Sequence, residues 1–357
     1  MIIIIGLDIG GANTKAALVH FKERKIIKSL SCIEYFPFWE KSIIQIPEML
    51  NNIVKELLKK NNYHLDDVDF IAVTITAELS DAFQTKREGI LIILDALENV
   101  FKKEKLKFIS NRSKFFNLET AKSEFNSIAA ANWVSTALFL GQFVSKCILV
   151  DAGSTTIDII PIFESIPVSK GIDDISRLMN HELIYTGGLR ATIPSITHHV
   201  PYKDSIIRVS FEKFALISDV HRILNNISQE EYINDTADNR SKSLHDCYAR
   251  LSRVICMDIE TLSKTELNII ANYIYEKQLD IISREIKAFM RNLTQRIKEF
   301  ENNPKFVITG LAADFLIEKT LQNLEYHNIA KYEELTNIPN KISSSAFAVA
   351  GALFYQL

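Results

Sequence analysis

Apolar runs separated by polar turns organise the first part of the chain. Residues 2–9 form a near-continuous apolar run, which is typical of a strand buried on both faces of a sheet. Further strands are predicted at residues 15–21, 26–35 and 68–75. Residues 47–60 carry apolar side chains at helical spacing, with a proline in the first turn, and predict a helix. The chain therefore begins as an α/β structure with a hairpin at its start.

Two longer helical segments follow. Residues 80–103 predict a mostly helical segment, although Gly89 near its middle is a weak helix former. A short strand is predicted at residues 106–110. Residues 119–140 predict a helix rich in alanine, whose small side chains permit close packing.

The pattern then restarts in the second part of the chain. Residues 146–151 and 157–163 predict a second hairpin, and residues 306–309 predict a further buried strand. Between them, residues from about 202 to 300 predict mostly helices, with no strand-like alternation of any length. Residues 343–356 predict a final helix rich in small residues.

Two similar hairpins mark this repeat, at residues 6–19 and 149–162. In each, an apolar strand ends in aspartate, a turn containing glycine follows, and a second apolar strand returns. Glycine permits both a sharp turn and the close approach of a ligand. We therefore predict two related lobes, residues 1–143 and 144–357, that grip one phosphorylated ligand. The second lobe carries a mostly helical insertion at about residues 202–300.

Composition narrows the range of functions. The chain has 357 residues, 47% of them hydrophobic and 24% charged, which is ordinary for a soluble globular protein of two domains. A net charge of −3 without a long basic run argues against nucleic-acid binding. Because no apolar run could span a bilayer and no basic leader is present, we expect a cytoplasmic protein without membrane contact. The four cysteines form no Cys-x-x-Cys pair, which argues against a zinc site.

Taken together, these segments resemble the acetate and sugar kinase, Hsp70 and actin superfamily. Residues 6–19 and 149–162 are similar to its two phosphate hairpins, and residues 307–316 to its adenosine motif. Residues 123–139 and 343–355 are similar to its two connecting helices. The resemblance implies an α/β fold of two RNase H-like lobes around a central cleft, with a largely helical insertion in the second lobe.

Shorter motifs point to a narrower group. Residues 76–81, 130–133, 185–187 and 235–238 are similar to the hydantoinase/oxoprolinase-like, tetrahydromethanopterin-linked one-carbon family, in its methanofuran-biosynthesis branch. The resemblance implies an archaeal enzyme of methanogenesis-cofactor biosynthesis. It also implies the reaction, in which the phenol of γ-glutamyltyramine displaces diphosphate from (5-aminomethylfuran-3-yl)methyl diphosphate to form an aryl ether.

A diphosphate leaving group needs charge neutralisation and close hydrogen-bond donors. Asp8 and Asp151 suit Mg²⁺ held through water, and we expect both to be essential, although aspartate before glycine also forms simple turn hydrogen bonds. Lys15 is either a cationic contact or a solvent-facing strand residue. The predicted diphosphate-binding residues are Gly10, Gly11, Asn13, Thr14, Lys15, Gly153, Ser154, Thr155, Thr156 and Gly310.

The phenol has a reference pKa of about 10, so the reaction calls for a base or a strongly cationic attack transition state. Glu78 and Asp81 are the acidic candidates, because they follow a predicted strand where α/β sheets place ligands. The released diphosphate is a third candidate proton acceptor. The predicted substrate-binding residues are Thr76, Lys86, Arg87, Tyr185, Gly187 and Arg190.

Two other functions stay open. Fold alone favours an ATP-dependent small-molecule kinase, but the adenosine-like motif lacks a second nearby glycine, so ATP is a ligand that we do not expect to be required. A nucleotide-switched binding protein of the chaperone type is the third reading, and the lack of a separate peptide-binding domain argues against it. Homo-oligomer formation is left open by the sequence.

Overall fold

A computed structural model of the chain describes residues 1–23, 25–60, 62–339 and 343–357. The described chain divides into two compact units. Unit 1 comprises Met1–Leu149, Ile160–Met179 and Ala330–Leu357, and unit 2 comprises Val150–Ile159 and Asn180–Ile329. The lobe boundary between residues 143 and 144 stays a prediction.

The described chain contains both strands and helices throughout. The strands are β1 (Ile2–Gly10), β2 (Asn13–Lys22), β3 (Lys25–Tyr35), β4 (Phe70–Thr76), β5 (Leu106–Ile109), β6 (Phe115–Phe116), β7 (Cys147–Ala152), β8 (Ile157–Phe163), β9 (Ile166–Pro167), β10 (Leu183–Ile184), β11 (His199–Tyr202), β12 (Ser205–Arg208), β13 (Phe306–Thr309) and β14 (Ile329–Lys331).

The helices, in chain order, are α1 (Ile46–Lys59), α2 (Lys86–Val100), α3 (Leu118–Ser123), α4 (Phe125–Ile128), α5 (Asn132–Gly141), α6 (Asp174–Met179), α7 (Ile193–Ile196), α8 (Ile217–Ile223), α9 (Leu244–Arg253), α10 (Lys264–Arg296), α11 (Lys319–Asn323), α12 (Tyr332–Thr336) and α13 (Ser344–Gln356). None of the helices in these described residues combines the length and apolarity needed to cross a membrane.

The first sheet is six-stranded, in the order β3-β2-β1-β4-β5-β6. Strand β1 is central, paired antiparallel with β2 and parallel with β4. Every residue from 3 to 9 is buried, which explains the continuous apolar run seen in the sequence. The predicted first hairpin and the strands before and after α1 are confirmed.

Helix α1 covers one face of this sheet, contacting β2 and β3. Its buried side chains recur at helical spacing and include Met49, Leu50, Ile53, Val54 and Leu57. Burying each such side chain stabilises the fold by about 1.5–3 kcal/mol. The helix predicted at residues 47–60 is thereby confirmed.

The second sheet repeats the order of the first. It runs β10-β8-β7-β13-β14, with β9 paired beside β8. When the strands of each sheet are numbered in chain order, leaving out β9, the first five strands of both sheets lie side by side in the order 3-2-1-4-5. The repeat predicted from the two hairpins is therefore a repeat of topology.

Residues 202–300 are mostly helical, as predicted, through α8, α9 and the 33-residue α10. Ser263 caps α10: its hydroxyl accepts from the Glu266 N–H at 3.2 Å, and the Glu266 carboxylate accepts from the Ser263 N–H. The same range also contains β12, which pairs with β11 and which the sequence pattern did not reveal. These strands have only four residues each, too short for a recognisable alternation.

The single helix predicted at residues 119–140 is wrong, because the structure has three helices there, α3, α4 and α5. One break falls at Glu124, and the second falls at Ala129 and Ala130, where the Ala130 N–H donates to the Ile75 carbonyl at 3.0 Å. Ala130 adopts a φ of 47°, a left-handed conformation that alanine rarely takes. This backbone contact with the end of β4 outweighs the helical preference of the alanine run.

Candidate active site

Asp8 lies near the carboxyl end of β1 and is only 4% exposed. The Ser345 hydroxyl, in the first turn of α13, donates to Asp8 Oδ2 at 2.5 Å. Lys15, directly opposite on β2, places its ammonium 3.6 Å from the same oxygen. Oδ1 has no hydrogen-bond partner among the residues that the structure describes. Asp8 is therefore fixed through one carboxylate oxygen, and its other oxygen is buried without a partner among the described residues.

The position of Lys15 distinguishes between its two predicted roles, a cationic contact and a solvent-facing strand residue. The Lys15 ammonium faces the carboxylate, so its strand position does not simply direct it to solvent. An unpartnered carboxylate oxygen suits a hydrated Mg²⁺, which binds proteins through one or two carboxylates and keeps several waters. Within the described ranges, no cluster of three or more His, Cys, Asp or Glu side chains is arranged as a metal site.

The turn between β1 and β2 contains the other predicted residues of the first hairpin. Gly10 and Gly11 are half-buried, and the carbonyl of Gly11 accepts from the Phe38 N–H at 3.0 Å. Asn13 begins β2 beside Tyr35 of β3. Thr14 is fully buried, and its hydroxyl has no partner in the part of the chain that the structure describes.

The loop between β4 and α2 holds Glu78, which is 1% exposed. Helix α2 begins at Lys86 rather than near residue 80, because the Thr85 hydroxyl caps it by accepting from the Glu88 N–H at 3.1 Å. The loop places Glu78 against the first turn of α2, where the backbone of Glu78 lies close to Gly89.

The environment of Glu78 suits a proton acceptor. Burial raises the pKa of its carboxyl to about 7, against smaller opposing contributions from its own backbone N–H, Lys86 and the Ala130 N–H. Its Oε2 atom has no hydrogen-bond partner among the described side chains and backbone. A carboxyl that titrates near neutral pH can accept a proton at the pH of the cell.

The remaining predicted residues of this loop take different positions. Lys86 lies 4.0 Å from the Asp174 carboxylate at the start of α6. Arg87 is exposed and its guanidinium lies 5.6 Å from the centre of the Phe125 ring. Asp81 is exposed, and the Thr76 hydroxyl lies 3.5 Å from the Ile9 carbonyl as a weak donor. Burial thus distinguishes Glu78 from Asp81 as the better proton acceptor.

In unit 2, the turn after β7 is held by the loop of residues 185–190. Backbone N–H groups of this loop donate to carbonyl oxygens of the turn at 2.9–3.1 Å: Gly187 to Thr155, Gly188 to Gly153, and Leu189 and Arg190 to Ser154. The Gly153 N–H donates to the fourth carbonyl, that of Thr156. The four carbonyls are thereby engaged, while the hydroxyl-bearing residues of the turn stay half-exposed.

This packing requires glycine at position 187. A Cβ there would lie 2.6 Å from the Gly153 carbonyl oxygen, closer than real Cβ contacts allow. Tyr185 and Arg190, at the two ends of the loop, are exposed. We will refer to residues 153–156 together with residues 185–190 as the cradle.

Besides the two segments of the cradle, the turn after β13 also lies close to Asp151. Gly310 has a φ of +94°, and the Ala312 N–H donates to the Ala152 carbonyl at 3.0 Å. A Cβ on Gly310 would lie 2.4 Å from that carbonyl and 2.7 Å from Asp151 Oδ1. The predicted residues Asp151, Gly153–Thr156, Gly187 and Gly310 are therefore brought together in unit 2.

We expect Gly310→Ala to destabilise the protein by about 3 kcal/mol or more, because it combines backbone strain with a steric clash. Gly153→Ala is the matched control, since its Cβ would meet only the Thr156 carbonyl at an ordinary 3.6 Å. Urea denaturation of the two variants measures the difference. Equal midpoints would contradict the packing described here.

The predicted motif at residues 235–238 has a structural role in unit 2. The Asp238 carboxylate accepts from Arg250 at 3.0 Å and from Arg253 at 2.9 Å. Arg250, fully buried, also donates to the buried Asp219 at 2.8 Å. The motif therefore closes an ion-pair network that joins α8 and α9.

Sequence reasoning missed two buried polar residues behind the cradle, Gln278 on α10 and His221 on α8. The Gln278 amide donates to the Thr186 hydroxyl and the Gly187 carbonyl, each at 3.0 Å. A signal was present: Gln278 falls between Ile274 and Ile282 at four-residue spacing, on the buried stripe of α10. Ser345 and Asp174, the partners of Asp8 and Lys86, carried no comparable signal.

The profile of the hydantoinase/oxoprolinase family matches residues 69–355 of the sequence. The chain belongs to the hydantoinase/oxoprolinase family. A relative in this group, the (4-{4-[2-(γ-L-glutamylamino)ethyl]phenoxymethyl}furan-2-yl)methanamine synthase of Methanocaldococcus jannaschii, is 35% identical over the whole chain and 99% of its own length. A protein of the same name from Methanococcus vannielii is 33% identical over 60% of this chain and 94% of its own.

A solved structure shares the fold of this hydantoinase/oxoprolinase family member. The nucleotide-free acetone carboxylase structure matches 97% of this chain and 70% of its own, with a TM-score of 0.54 and 12% sequence identity. The predicted α/β fold class, with the same strand order repeated in two sheets, is confirmed. At this identity the likeness concerns the fold alone.

Proposed function

We propose that this protein is a transferase of methanofuran biosynthesis. It would join (5-aminomethylfuran-3-yl)methyl diphosphate to γ-glutamyltyramine and release diphosphate. The observation that carries the proposal is the 35% identity along the full chain to the Methanocaldococcus jannaschii synthase, and the name of that relative describes an aryl ether.

The bond changes define what the residues must do. The phenol oxygen forms a bond to the furanylmethyl carbon, the carbon–oxygen bond to diphosphate breaks, and its electron pair leaves with diphosphate. The phenol proton must pass to a base. Because the furan ring delocalises a developing cation, catalysis is largely electrostatic and favours early departure of diphosphate.

Two groups of residues suit this chemistry, one in each unit. In unit 1, Glu78 has the burial and the raised pKa needed to accept the phenol proton. Asp8 would hold Mg²⁺ through water, and a bound Mg²⁺ would supply charge neutralisation for the leaving group. In unit 2, the cradle offers the hydroxyls of Ser154, Thr155 and Thr156 as donors to an anion.

The direct test is synthesis of the ether. Purified protein is incubated with the furanylmethyl diphosphate, γ-glutamyltyramine and Mg²⁺, and mass spectrometry measures the ether and released diphosphate in equal amounts. We expect product that depends on both substrates. Absence of the ether across several metals and pH values would contradict the proposal.

The second candidate function is an ATP-dependent small-molecule kinase, which the fold favours. Calorimetry with ATP and with inorganic pyrophosphate separates the two functions. We expect binding of pyrophosphate and ether synthesis without ATP. Tight ATP binding coupled to phosphoryl transfer would favour the kinase instead.

A further inference from the structure

Gln278 connects helix α10 to the cradle. It is fully buried, and its amide nitrogen uses both hydrogens on the loop, one for the Thr186 hydroxyl and one for the Gly187 carbonyl, each at 3.0 Å. Gly187 in turn donates its N–H to Thr155, within the turn predicted to bind diphosphate. One side chain therefore holds the loop that engages the turn.

His221 fixes the orientation of the Gln278 amide. Its Nε2 lies 3.0 Å from Gln278 Oε1, and its Nδ1 lies 3.1 Å from the Asn226 amide nitrogen. Since the Gln278 nitrogen already donates twice, Oε1 must accept from His221, so His221 carries its proton on Nε2 and accepts at Nδ1. Burial lowers the pKa of His221 to about 3, against a smaller raising contribution from the Gln278 hydrogen bond, which keeps the ring neutral.

The chain of donors thus runs in one direction, from Asn226 through His221 and Gln278 to the loop. A reversed amide would place its oxygen against the Gly187 carbonyl, which can only accept, and its nitrogen against the ring N–H. Such a reversal would leave buried polar groups unpaired, which is costly in a low-dielectric interior. The aromatic rings of Tyr275 and Phe315, 5.7 and 4.6 Å from His221, enclose it.

We propose that Gln278, held by His221, is a positioning residue that keeps the cradle in the conformation that binds the diphosphate group of the substrate. The inference rests on the proposed function and adds to it a determinant outside the phosphate motifs. Gln278 itself does not contact the substrate. It acts through Thr186 and Gly187 on the turn of residues 153–156.

The test compares Gln278→Leu with Asn268→Leu. Leucine approximates the volume of glutamine and removes both donors to the loop. Asn268 lies on the same helix and accepts from the Tyr248 hydroxyl at 2.8 Å, so its variant loses a hydrogen bond of α10 away from the cradle. Isothermal titration calorimetry with inorganic pyrophosphate and Mg²⁺ measures the dissociation constant, and thermal unfolding measures stability.

We expect Gln278→Leu to weaken pyrophosphate binding by about tenfold or more, while Asn268→Leu stays within about twofold of the parent even where both variants lower Tm. In the ether assay, the KM for the furanylmethyl diphosphate should rise while that for γ-glutamyltyramine is unchanged. Thr186→Val, which removes one acceptor of the Gln278 amide, should weaken pyrophosphate binding by a smaller factor. It tests the same contact should Gln278→Leu fail to fold.

The outcomes separate the two proposals. If the parent binds pyrophosphate and Gln278→Leu binds it equally well, the positioning role is refuted and the proposed function stands. Equal weakening in the two leucine variants would also refute it, because the effect would then follow stability alone. If the parent forms the ether without binding pyrophosphate, this inference alone fails, whereas absence of the ether refutes the proposed function on which it rests.

Discussion

Asp8→Asn should reduce turnover by about 100-fold or more, because it removes the charge that neutralises a metal or cationic group while keeping the shape of the side chain. The asparagine carbonyl can still accept from the Ser345 hydroxyl, so the contact between β1 and α13 is retained. Asp8→Ala and Asp151→Ala should each abolish activity with the fold preserved. Steady-state kinetics of ether formation and circular dichroism measure the two properties.

Ser345→Ala provides the control for Asp8. It removes the hydrogen bond to Oδ2 but leaves the carboxylate and the Lys15 pair in place. We expect a loss of about 1 kcal/mol in stability and a small effect on turnover. Near-normal activity of Asp8→Asn would exclude a charge-dependent role for Asp8.

Glu78→Gln should reduce turnover by about 100-fold or more while stabilising the protein at high pH. The glutamine cannot accept the phenol proton, and it also removes a buried charge. In the parent, kcat/KM should rise with pH through about 7, where burial places the pKa of Glu78, and this rise should be lost in the variant.

The sign of the stability effect follows from proton linkage. The folded pKa of about 7 exceeds the ordinary value of 4.5, so between these values the folded state holds more protons than the unfolded state. Parent stability therefore falls as pH rises through this window, by at most about 3 kcal/mol from this group, and Glu78→Gln should not show that fall. Unfolding measured from pH 4 to 9 tests this.

Glu88→Gln is the matched control, an exposed carboxylate in the first turn of α2. It should keep the pH profiles of both activity and stability. If Glu78→Gln retained the activity profile, another group would have to be the base. If only the stability profile changed, Glu78 would be a buried structural acid.

Local sequence patterns were sufficient for most of the fold. Three predictions depended on neighbouring residues alone, and each was confirmed: the apolar run of β1, the apolar stripe of α1 and the glycine turns of the two hairpins. The break at Ala130 was not predictable, because alanine favours helix and the competing contact is a backbone hydrogen bond to Ile75 in a distant strand. That contact exists only after the sheet has formed.

In the candidate site, too, local features were predictable from the sequence and long-range contacts were not. The position of Glu78 after a strand followed from the sequence, but its burial depends on where α2 begins and on the Ala130 turn. Gln278 could have been identified from the apolar stripe of α10, since a polar residue on a buried face requires partners. Its partners, however, lie 57 to 92 residues away and could not be inferred from spacing.

The hydrogen bond between Asp8 and Ser345 joins residues 337 positions apart. During synthesis, β1 leaves the ribosome long before α13, the helix that contacts it. Unit 1 therefore cannot complete its packing until α13 has been synthesised, and β1 lacks this contact until then. Ribosome-bound chains stalled before α13 should accordingly be protease-sensitive around a carboxylate that the finished protein encloses.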